Sequence, residues 1–149
     1  MIEERVKEGA VSMGVLDNIK SVFSTQCETG DHHPDESLRS HYYKTTAPNG
    51  FKAVKELMEK LEGFEIVAAY EDRGEISVNI KKGRKAFMVI TIISLRPFET
   101  AIDFSVTTDT KILPMDFGYS KAMIKSMYEQ LNKKLVFVRA GATRVGAGN

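Results

Sequence analysis

The chain is predicted to be one α+β domain built on an antiparallel sheet, and three observations lead there. Apolar and polar residues alternate with period two over Glu75–Lys81 and again over Ala101–Thr108. Apolar residues recur at helical spacing over Phe51–Leu61 and Tyr119–Lys133. Short turn-forming segments join the extended runs, which leaves no room for the long crossovers that parallel strands need. With 149 residues, 42% of them hydrophobic, the chain can bury one core without disulfide staples.

Taken in order, residues 1–12 are charged and are expected to be a flexible N-terminal extension. Met13–Phe23 places Val15, Leu16, Ile19, Val22 and Phe23 on one face of a short amphipathic helix. Thr25–Ser40 is polar, contains Gly30 and Pro34, and reads as a loop. His41–Thr45 is an additional strand, stopped by Pro48-Asn49-Gly50. Phe51–Leu61 is a main helix, with Asn49 as its expected N-cap and Gly63 as its stop.

Four strands then follow as a meander: Glu65–Tyr70, Glu75–Lys81, Ala86–Leu95 and Ala101–Thr108. Alternation directs Ile76, Val78, Ile80, Ile102, Phe104 and Val106 to one buried face. Gly74 is expected at positive φ in the first turn. Lys111–Gly118 is a loop and Tyr119–Lys133 the second main helix. Leu135–Val138 adds a short extended piece, and residues 139–149, rich in Gly and Ala, are expected to be a disordered tail. The folded domain is thus placed at residues 13–138.

Ala86–Leu95 is apolar on both faces. Phe87, Val89 and Ile93 lie on one face and Met88, Ile90 and Ile92 on the other. Met88, Ile90 and Ile92 are expected to form a second apolar surface. It would be covered by the Met13–Phe23 helix or serve as a homodimer or partner interface.

By composition the chain has a net charge of +1, which gives no overall drive toward nucleic acid or an anionic membrane. No apolar run approaches the roughly 20 residues that span a bilayer. The first residues lack the apolar core of a secretory signal, and the one cysteine, Cys27, allows no internal disulfide. A cytoplasmic location is the expectation.

Four readings of the residues offer chemistry. Cys27, His32, His33 and His41, with the nearby carboxylates of Glu28, Asp31 and Asp35, are ligand types for zinc. There is no paired-cysteine motif, however, and adjacent histidines reach one tetrahedral centre poorly, so a polar loop with turn-setting Asp and Pro is preferred. A Cys27 nucleophile has no visible oriented base. Lys81, Lys82, Arg84 and Lys85 surround Gly83 and could hold an anion, although a solvated turn is the simpler account. Arg96-Pro97-Phe98-Glu99 offers a local ion pair, with Phe98 expected to pack over the sheet edge.

No phosphate-loop, zinc-protease, nucleophile-elbow or kinase motif occurs, and no cofactor is implied. Gly141, Gly146 and Gly148 precede no helix. The leading expectation is a non-enzymatic binding or protein-interaction domain, with an unidentified protein partner or a homodimer. The alternatives are a metal-binding protein using Cys27–His33 and an enzyme with a motif-less cleft around Asp103, Tyr128 and His41.

The stretches HHPDESLRSHYYK, YEDRGEISV and SLRPFETAIDFSVTTDTKILPMDFG resemble an uncharacterised family of small cytosolic proteins from Bacillus-like bacteria. The resemblance spans Met13 to Val138 and implies no particular activity. The order of helices and meander is also similar to small chaperone-like and lipoprotein-type α+β binding domains, an analogy of fold alone.

Overall fold

The computed structural model describes residues 24–109 and 118–141. The expected Met13–Phe23 helix and the Lys111–Gly118 loop, apart from Gly118, lie outside the described residues. Among the described residues the chain forms seven strands and two helices. They are β1 (Ser24–Glu28), β2 (His41–Tyr43), α1 (Ala47–Lys60), β3 (Phe64–Tyr70), β4 (Glu75–Ile80), β5 (Ala86–Arg96), β6 (Glu99–Asp109), α2 (Tyr119–Lys134) and β7 (Phe137–Ala140).

All strands join one antiparallel sheet in the order β3-β4-β5-β6-β2-β7, with β1 also paired to β6. The expected meander is present as β3 to β6. Three strands rather than one are added to it. Ser24–Glu28, read as the start of a polar loop, is a strand because it pairs with the far half of β6, Ser24 opposite Asp109 and Glu28 opposite Ser105. Arg139 and Ala140, assigned to the tail, belong to β7 and pair with Tyr42 and His41. Both corrections have one cause: an edge strand takes its conformation from a distant partner and needs little signal of its own.

Helix α1 begins earlier than its apolar stripe suggests. Thr46 is the N-cap, its side chain accepting from the Asn49 N–H, and Pro48 sits in the first turn, where its missing N–H is harmless. The Pro48-Asn49-Gly50 triplet that reads as a stop is therefore the opening of the helix. Phe51, Val54, Leu57 and Met58 of α1, with Ile124, Met127, Tyr128 and Leu131 of α2, cover one face of the sheet.

On that face Ile76, Val78, Ile80, Ile102, Phe104 and Val106 are all buried, as the alternation requires. Met88, Ile90 and Ile92 are buried with them, which corrects their assignment to an interaction surface. The cross-strand register is the reason. Met88 lies opposite Val78 and Val106, and Ile90 opposite Ile76 and Phe104, and directly opposed residues share a face. The apolar residues of β5 left outside the core are Phe87, Val89, Ile93 and Leu95, which alternate onto the other face.

The β3–β4 turn is set by backbone contact. Gly74 has φ 63°, and a Cβ there would lie 2.1 Å from the Ile92 carbonyl oxygen. Gly83 has a similar φ of 73° but open space around it. Gly83→Ala should therefore cost about 1 kcal/mol of backbone strain, and Gly74→Ala at least about 3 kcal/mol because strand β5 must also shift. Urea denaturation of the two variants checks this; equal losses would show that the Gly74–Ile92 contact is unimportant.

Candidate functional site

The stretch from Cys27 to His41 does not assemble as a metal centre. Cys27 lies opposite Val106 and packs against the core. His32 is exposed, and His33 Nδ1 accepts the Asp35 N–H at 3.0 Å. His41 stacks on the Tyr128 ring, with centroids 3.6 Å apart and planes 11° apart. Among the described residues no three His, Cys, Asp or Glu side chains are grouped so as to hold a metal ion. Asp35 instead caps the 3-10 turn Glu36–Leu38 and binds Lys121 of α2 at 2.7 Å. The hydrogen bond from Lys121 is the main reason its carboxyl is held well below the usual carboxylate range.

The three residues named for a motif-less cleft do come together, but as architecture. Asp103 Oδ1 accepts from Thr29 Oγ1 and Ser40 Oγ, each at 2.5 Å, where the chain passes between β1 and β2. The Tyr128 hydroxyl donates to the Ile102 carbonyl at 2.8 Å, and burial pushes its ionisation far above the ordinary phenol value. His41 is packed between Tyr128 and Phe137. Burial lowers its pKa from 6.5 to about 4, a hydrogen bond to Asn132 opposing the shift.

At the basic tip three of the four cations have partners. Lys81 binds Glu65 at 3.0 Å, Lys82 lies 3.8 Å from Glu62, and the Arg84 guanidinium sits 5.6 Å from the Tyr119 ring centre. These contacts draw three of the four cations of the tip toward separate partners.

The feature that stands out lies at the opposite end of the sheet. Strands β5 and β6 form a long hairpin closed by Pro97 and Phe98, Arg96 pairing with Glu99. Phe98 has φ 61°, the left-handed region that a turn of this kind normally fills with glycine. Its ring does not pack over the sheet edge as expected; it is 63% exposed, with Ile93 54% and Leu95 51% exposed nearby. The ion pair read from the sequence is present, Arg96 Nε to Glu99 Oε1 at 3.0 Å.

Glu99 also binds Arg139 of β7 at 2.9 Å, and the Arg139 guanidinium lies 3.9 Å from the centre of the Tyr42 ring. The Tyr42 hydroxyl donates to Asp31 at 2.6 Å, and its pKa is pushed up to about 12, first by burial and then by that carboxylate. A chain of polar contacts thus ties the base of the apolar tip to β2, β7 and the Asp31 loop.

Beside the tip is a cleft of about 440 Å³. Pro48 and Phe51 of α1 and Ile92 and Ile93 of β5 supply its apolar lining, and Glu71 and Asp72 of the β3–β4 turn its acidic rim. Sequence reasoning named the hairpin but missed the cleft. Its signal was the unequal lengths of β4 and β5, since the shorter β4 leaves the end of β5 uncovered.

No family model, curated protein or solved structure matches the chain.

The burial of His41 has a consequence for pH. A histidine whose folded pKa lies below its unfolded value binds fewer protons when folded, so stability drops as pH falls from about 6.5 to about 4 and levels off below that. His41→Phe, which preserves the stack on Tyr128, should flatten the pH dependence of urea unfolding in that window. An unchanged slope would mean that the ring is protonated in the fold.

Proposed function

We propose that this protein is a non-enzymatic, cytoplasmic interaction domain that engages a protein partner through the β5–β6 hairpin tip. The observation that carries the reading is the exposed trio of Ile93, Leu95 and Phe98 on a projecting, braced hairpin. Bulky side chains at positive φ cost about 1–3 kcal/mol and tend to persist where function uses them. An apolar group of this kind is normally hidden on a monomer unless something binds it. The ion-pair chain through Glu99 and Arg139 lowers the entropy left to lose on binding, which favours a preorganised contact. The resemblance to small bacterial cytosolic proteins and the absence of a catalytic motif agree with this reading. We also propose a short amphipathic helix over Met13–Phe23, on the helical spacing of its apolar residues.

A photoreactive phenylalanine analogue at position 98 tests the proposal in the native host. It should form a discrete adduct that the same probe at position 59, on the exposed side of α1, does not form. Leu95→Asp should abolish the adduct. Phe98→Gly should leave the melting temperature unchanged or slightly raised, because glycine relieves the left-handed turn, while still losing the partner. Equal labelling from positions 98 and 59, or none from position 98, would refute the assignment of this surface.

A further inference from the structure

We infer that the contact is made by strand addition: an extended, basic and apolar peptide of the partner lies along the open edge of β5, above β4. This rests on the interaction reading and specifies its ligand and its geometry.

Strand β5 runs to Arg96, but its pairing with β4 ends at Thr91 opposite Glu75. The next residue, Ile92, donates its N–H to the Gly74 carbonyl at 2.7 Å, so its backbone faces the β4 side. Two residues on, Ser94 repeats that orientation by strand alternation. Among the described residues no strand lies beside it on the β4 side, its other side being paired with Thr100 of β6. Ser94 is exposed, and its hydroxyl turns along its own strand toward the Arg96 carbonyl at 3.3 Å. The backbone edge at Ser94 is therefore available to an incoming strand, the mode in which main-chain bonds supply affinity and alternate side chains supply specificity.

The surroundings state what that strand carries. The cleft lies against this edge, so the inward side chains of the peptide would meet Pro48, Phe51 and Ile92, which calls for aliphatic or aromatic residues. At the rim Glu71 and Asp72 have no ion pair among the described residues. Of the nearby cations, Arg73, which also lines the cleft, is engaged by Glu75 and the Tyr70 ring, and Arg96 shares Glu99 with Arg139. The uncompensated charge at the cleft is negative, so the complementary peptide is positive. The same edge could pair with β5 of a second copy, but two copies would bring the Glu71 and Asp72 carboxylates toward one another. The charge pattern therefore favours a basic partner.

The test uses the full chain and two fluorescent seven-residue peptides, one alternating lysine with valine and leucine, the other glutamate with the same residues. Fluorescence anisotropy should show the lysine peptide binding at least about tenfold more tightly than the glutamate peptide. Ser94→Pro removes the edge N–H and should weaken binding by about tenfold or more. A Glu71→Lys, Asp72→Lys double variant, changed only at exposed turn positions, should reverse the preference between peptides. Binding of both peptides equally, of neither at millimolar concentration, or with no effect of either variant overturns the inference. So does a dimer in sedimentation that Ser94→Pro dissociates. If the adduct from position 98 persists in Ser94→Pro, strand addition fails while the interaction surface stands; if that adduct never forms, the surface itself fails.

Discussion

Strand β6 is shared by more partners than any other, and the rest of the domain is arranged around that sharing. One edge pairs along its length with β5, while the other is divided between β1 and β2. Dividing an edge leaves a gap in the ladder, and a gap exposes backbone groups that must be satisfied. Here Thr29 closes it: its N–H donates to the Phe104 carbonyl, and its hydroxyl accepts the Phe104 N–H. Asp103 then holds both ends of the crossing chain through the hydroxyls of Thr29 and Ser40. From the helical side Tyr128 reaches the Ile102 carbonyl at the same place. Residues with the chemistry of an active site are thus consumed in stitching two short strands to one long one.

That division of labour separates the two ends of the molecule. The end near β1 and the start of α2 carries a basic turn, with Lys81 and Lys82 paired to Glu65 and Glu62. The other end carries an apolar hairpin tip, an acidic turn and a cleft. Bracing by Arg96, Glu99, Arg139 and Tyr42 holds this tip in a fixed relation to the sheet. A rigid scaffold presenting an apolar loop is the usual arrangement for recognition.

The meander and both helices could be read from the sequence because their signals are local. Period-two alternation in Glu75–Lys81 and the apolar stripe of Phe51–Leu61 need no knowledge of what lies opposite. The face of β5 that enters the core could not be read this way, because Ala86–Leu95 is apolar on both sides and only the cross-strand register chooses between them. The β1 strand escaped for a related reason: Ser-Thr-Gln-Cys-Glu has little intrinsic preference and becomes extended by pairing with β6. At the hairpin, Pro97 marked the turn, but nothing in Arg96–Glu99 reveals whether Phe98 folds back or points outward. The cleft depends on one strand outlasting its neighbour, a relation between segments rather than a property of either.

The wiring of β6 also implies an order of assembly. Its pairing with β5 closes a hairpin of neighbouring residues, Ser94 opposite Thr100, and β3–β4 and β4–β5 are also closed by short loops. Its other edge joins Ser24 to Asp109 and Tyr43 to Thr100, across most of the domain. Closing long loops costs entropy that local hairpins avoid, so contacts of low sequence separation form early and the distant ones late. The meander, with α1 packed upon it, is then the natural nucleus, and β1, β2 and β7 are the last pieces to dock. In the folded protein the same elements would be the first to exchange their amide protons, so the half of the sheet stitched together by Asp103 is also its most readily opened part.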